Sequence, residues 1–110
     1  MKADLLARFD ELIADHDWKP IPNCPGRYVL STESMVPPEQ LLGADAKVRT
    51  FRVSTATDPV LVARLDGGGL ISYLRADNTY VHTLNTVQGF HRKLSNLGID
   101  LSWRNTDSDI

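Results

Sequence analysis

The chain has 110 residues, of which 42% are hydrophobic and 24% charged, and its formal net charge is −2. That composition belongs to an ordinary globular fold of one domain's size, and its slightly acidic balance supplies no field that would capture nucleic acid or an anionic membrane unaided. The single cysteine, Cys24, excludes an intramolecular disulfide and a cysteine-based zinc site.

Residues 1–18 carry acids throughout their apolar register, unlike the uninterrupted apolar core of a signal peptide, and no later run approaches about 20 apolar residues. The expectation is a cytoplasmic protein that does not span a membrane. Leu5, Leu6, Phe9, Leu12 and Ile13 fall on one helical stripe with Arg8, Asp10, Glu11 and Asp15 between them, the pattern of a surface helix docked by one face. Residues 19–26 then hold three prolines and a glycine, which forbids both a helix and a paired central strand. Trp18 is expected to be buried beside this stiff connector.

Tyr28, Val29 and Leu30 read as a short strand. The Pro37-Pro38 pair suits a helix start and Gly43 a helix end, around one or two turns that cover a core edge with Leu41 and Leu42. Residues 47–54 form a further strand. From residue 58 onward the pattern is strongest: strands over 60–65, 70–75 and 80–84, joined by the glycine-rich turn at 66–69 and the polar turn at 76–79. Asn85 opens a capping box with Gln88, and Val87, Phe90, Leu94 and Leu97 recur at helical spacing until Gly98. The predicted helix covers residues 86–97. Ile99, Leu101 and Trp103 alternate with Asp100 and Ser102, as in an extended segment laid on the body, and residues 104–110 form a polar, frayed tail.

The predicted fold is therefore α+β: one domain over residues 1–103, with an antiparallel meander of about four strands and an N-terminal and a C-terminal helix mainly on one face. If Leu65 faces Leu70 and Arg75 faces Tyr80, alternation puts Leu61, Ala63, Leu65, Leu70, Ser72, Leu74, Val81 and Thr83 on one face. The other face then gathers Arg64, Tyr73, Arg75, Tyr80 and His82 among Val60, Val62, Ile71 and Leu84. This mixed aromatic and basic face, with His91 and Arg92 on the following helix, is the candidate binding surface, because aromatic and arginine side chains concentrate at interfaces and three short helices cannot cover both sides of the sheet.

Three functional readings follow, in descending order. The first is a non-enzymatic module that binds another protein, or itself as a homodimer, through the mixed face. The second is a single-strand nucleic-acid binder that stacks bases on Tyr73 and Tyr80 and contacts phosphates through the arginines, against which stand the acidic net charge and the lack of an RNA-binding signature. The third is a small enzyme or ligand-binding domain in which His82 moves a proton, with Tyr73 across the strand and Arg64 or Arg75 clamping an anion. No nucleophile, paired carboxylate or metal cage accompanies His82 in the sequence, so no catalytic residue, metal site or cofactor is assigned. The glycine cluster at 66–69 lies between two strands and not before a helix, so it reads as a hairpin turn rather than a phosphate cradle. Cys24 could be a reactive thiol with Arg27 nearby, but a small buried apolar residue is the favoured reading.

Overall fold

The computed structural model describes residues 5–14, 16–21, 29–43, 46–54 and 57–99. Its elements are α1 (Leu5–Ala14), β1 (Lys19–Pro20), β2 (Leu30–Ser34), α2 (Pro38–Leu42), β3 (Val48–Phe51), β4 (Val60–Leu65), β5 (Gly68–Leu74), β6 (Tyr80–Thr86) and α3 (Val87–Leu97). The strands form one antiparallel sheet in the order β1-β2-β6-β5-β4-β3. The α+β class with an antiparallel sheet is as expected. The sheet is wider than the predicted meander of about four strands, because β2 returns to pair with β6 and carries the two-residue β1 on its outer edge. Proline lacks the backbone N–H, so Pro20 sits where a strand can tolerate it, at the margin. The readings made for Cys24, Tyr28, the extended segment after Ile99 and the tail lie outside the described residues.

Helices cover both faces of the sheet, which corrects the expectation that they gather mainly on one. On the back face, Leu5 and Leu12 of α1 and Leu42 of α2 pack with Ala63, Leu65, Leu70 and Leu84, and Trp18 closes the margin. The Trp18 indole donates to the Leu12 carbonyl at 2.9 Å, and the Arg8 guanidinium donates to the Leu42 carbonyl, joining α1 to its neighbours. On the front face, Phe90, Leu94 and Leu97 of α3 cover Val60, Val62 and Ile71, with Ile99 completing the cluster. Each of these helices buries one stripe, and no described helix is long and apolar enough to cross a membrane.

The glycine cluster explains how both layers close on one sheet. Leu65 pairs with Gly68, not with Leu70, so the turn is only Asp66-Gly67, and Gly67 alone of the three glycines needs positive φ, at 99°. Gly68 and Gly69 are strand residues. Leu5 lies over the first from the back, and the Phe90 ring lies over the second from the front. Small size, rather than turn geometry, is what the sheet needs at these two positions.

The next hairpin overturns part of the face assignment. Asn78 donates its N–H to the Arg75 carbonyl and sits at φ 67°, and the Arg75 N–H bonds to the Thr79 carbonyl, so a three-residue loop closes in a type I turn followed by a left-handed residue. Leu74 therefore faces Tyr80, where Arg75 was expected to do so. This one-residue change of register turns every side chain of β6 over: Tyr80, His82 and Leu84 join the back face, and Val81 and Thr83 the front.

At the start of α3 the cap is Thr86, whose hydroxyl accepts from the Gly89 N–H at 3.4 Å, and not Asn85, which remains in β6 with its side chain buried. The helix ends at Gly98 in the left-handed conformation, as its position in the sequence predicts. Thr86→Ala is expected to cost about 1 kcal/mol, seen as a lower urea midpoint with an unchanged slope.

Candidate functional site

The register separates the predicted mixed face into two groups. Arg64 and Tyr73 stay on the front, while Tyr80 and His82 lie behind. Arg64 occupies the front row opposite Gly69, and its Nη1 is buried without a hydrogen-bond partner. His91 tilts its ring against Phe90 at 6.3 Å between centroids, and Arg92 is exposed on α3.

His82 is 0% exposed. Its Nε2 lies 2.8 Å from the Val36 carbonyl and its Nδ1 2.7 Å from the Ser72 hydroxyl. A carbonyl can only accept, so Nε2 carries the proton and the Ser72 hydroxyl donates to Nδ1. Tyr80 stacks on the ring at 5.5 Å, with the planes 7° apart. Burial pushes the His82 pKa below its ordinary 6.5, outweighing the hydrogen bond to Val36, and His16 pushes it the same way. Ser72 and His82 have the separation of a nucleophile and its base. Both are fully enclosed, however, and a backbone carbonyl stands where a catalytic histidine would have an orienting carboxylate. The pair fastens β5, β6 and the segment leading into α2. Ser72 was placed on a strand by its sequence, but the one-residue shift is what brings it against His82.

The predicted residues that stay on one side together are Tyr73 and Arg75, on the front face beside α3. Cross-strand pairing places Glu33, Val81 and Tyr73 in one row, from the β2 side inward. The Arg75 guanidinium bonds to the Glu33 carboxylate at 2.6 Å, and the Lys93 ammonium of α3 lies 5.5 Å from the centre of the Tyr73 ring. Next to this group is a shallow concavity of about 390 Å³ lined by Asp17, Lys19, Ser31, Thr32, Glu33 and Val81. Sequence reading missed Glu33, Val81 and the β1 residues. Glu33 and the β1 residues reach the site only through the pairing of distant strands, for which no local pattern exists.

The charges at this surface are held in place by neighbours. Asp17 pairs with Lys19 at 4.0 Å, and the Asp77 carboxyl is held below its ordinary value by hydrogen bonds from the Thr79 backbone and side chain. No group of three or more His, Cys, Asp and Glu side chains able to hold a metal occurs among the described residues. The arrangement offers an aromatic face, paired charges and small hydroxyls on a rigid sheet, which suits recognition of another surface better than bond-making chemistry. No protein-family model, curated protein or solved structure matches the chain.

Proposed function

We propose that the chain is a non-enzymatic protein-interaction module whose contact surface is the part of the front sheet face flanking α3, with Tyr73 and Arg75 as its anchors. The observation that carries this reading is the joining of Tyr73, Lys93, Arg75 and Glu33 into one partly exposed group beside an open concavity. Ordered aromatic and arginine side chains lose little freedom on binding, which is why they dominate interface energetics. The sheet edges suit docking less well. β1 offers two residues, one of them proline, and β3 is flanked and interrupted by Lys47, Arg49 and Arg52, charges that discourage strand addition.

The double variant Tyr73→Ala with Arg75→Ala is expected to weaken partner binding by about 2 kcal/mol or more while leaving the fold intact. Pull-down, and sedimentation against wild type, read the loss; circular dichroism confirms the fold. Equal binding by the two proteins ends this reading. So does tight, steeply salt-dependent binding of labelled oligonucleotides by wild type, which would assign the surface to single-stranded nucleic acid.

A further inference from the structure

We propose that Met35 is a redox-sensitive modification site: a hydroperoxide converts its exposed thioether to the sulfoxide, and the new oxygen draws the hydrogen bond of the Thr79 hydroxyl away from Asp77. This chemistry does not depend on which partner the front face meets.

Two observations meet at the sulfur. Met35 is 66% exposed and belongs to neither hydrophobic cluster, so an oxidant reaches it and an added oxygen disturbs no packing. The Thr79 hydroxyl donates to its Sδ at 3.7 Å, joining the end of β2 to the loop between β5 and β6. The backbone beside Met35 is pinned as well. The Val36 N–H donates to the Ser34 hydroxyl at 3.0 Å, and the Val36 carbonyl accepts from His82 Nε2 at 2.8 Å. Met35 therefore stays beside Thr79 in either state of its sulfur.

The Thr79 hydroxyl has one proton and two acceptors in reach. The second is Asp77, whose carboxylate takes the Thr79 N–H at 3.0 Å and the hydroxyl besides. Against a thioether, a weak acceptor, the carboxylate competes well. Oxidation changes that balance. A sulfur lone pair attacks the outer oxygen of the peroxide, and the S–O bond forms as the O–O bond breaks. The proton on the transferred oxygen passes to the departing one, which leaves as water or an alcohol; sulfur has lost two electrons and the peroxide has gained them. The product carries a polar oxygen in place of a bare sulfur, on a side chain flexible enough to turn it toward the hydroxyl. The backbone bond from Thr79 to Asp77 is untouched, so the loop keeps its shape while the hydroxyl turns. Sulfoxide is the reversible product of methionine oxidation, which makes the change one that can be undone.

The test treats the full chain with hydrogen peroxide, locates the added oxygen by mass spectrometry and titrates the Asp77 carboxyl by NMR before and after. Met35 is expected to gain one oxygen, and the Asp77 pKa to move up toward its ordinary value as the hydroxyl bond that lowers it is lost. Thr79→Val should raise the Asp77 pKa of the reduced protein and abolish any further rise on oxidation. Met35→Leu, which keeps the other two sulfur atoms in Met1 and Cys24, should show no change with peroxide. Arg75 also holds Asp77 down, and its charge is the same in all three proteins. The inference is overturned by an Asp77 titration that stays put when Met35 is oxidised, by a rise that persists in Thr79→Val, which would be the sulfoxide dipole acting through space, or by a Met35 that stays reduced while Met1 is oxidised.

Discussion

Gly68→Ala is expected to destabilise the protein by about 3 kcal/mol, a large share of the stability of a domain this size. A Cβ built on Gly68 would lie 1.9 Å from the Asn85 carbonyl oxygen and 2.7 Å from Leu5 Cδ2. The oxygen belongs to the backbone of β6, so no rotamer change relieves the clash; the β5–β6 pairing must open or the hairpin must shift. Gly69→Ala meets the Phe90 ring at 2.2 Å. That ring can tilt, but it is buried at the centre of the front core, so a smaller loss of about 2 kcal/mol is expected. Gly98→Ala is the control: it meets nothing within 4 Å and pays only for its left-handed backbone, about 1 kcal/mol. Urea denaturation of the three variants should rank them in this order. A Gly68→Ala protein within about 0.5 kcal/mol of wild type would remove the close-approach account of the glycine cluster.

These glycines also show where the sequence was legible. Strand β4 has the predicted bounds, and α3 begins within one residue of its predicted start and stops at Gly98, because a strong local period and a glycine terminator suffice for each. Within the 66–69 cluster, by contrast, a turn glycine and a strand glycine look identical in one dimension; only the Leu5 and Phe90 side chains arriving from opposite faces distinguish them. The sheet faces were half legible for a similar reason. On β4 and β5 the expected and observed pairings differ by two positions, which preserves parity, so Arg64 and Tyr73 stay on their predicted face. On β6 the difference is one position, fixed by Asn78 in a left-handed conformation, and a single residue sends Tyr80 and His82 to the opposite core. Of the predicted surface, Tyr73 and Arg75 remain together. Their partner Glu33 lies more than forty positions from Arg75 in the chain, and only the β2–β6 pairing brings it there.

His82→Ala is expected to cost about 3–5 kcal/mol, and the histidine should make wild-type stability fall in mild acid. Removing the ring leaves a void against Tyr80 and strips the Ser72 hydroxyl and the Val36 carbonyl of their partner inside the core. The pH dependence follows from the direction of the shift. Burial lowers the native pKa below 6.5, so the unfolded chain binds the proton more readily than the native state does. The stability held by the neutral ring is complete above the unfolded pKa and is lost as pH falls below about 6.5 toward the native value, with a limiting slope of about 1.4 kcal/mol per pH unit. Protonation would also require the Ser72 hydroxyl to turn from donor to acceptor, leaving its own hydrogen without a partner in a dry site. Urea midpoints measured at pH 7, 6 and 5 for wild type and for His82→Asn should therefore converge as the pH drops, since only wild type carries the His82 ring. Parallel stability curves would mean that His82 meets water in the native state and is no part of the sealed core.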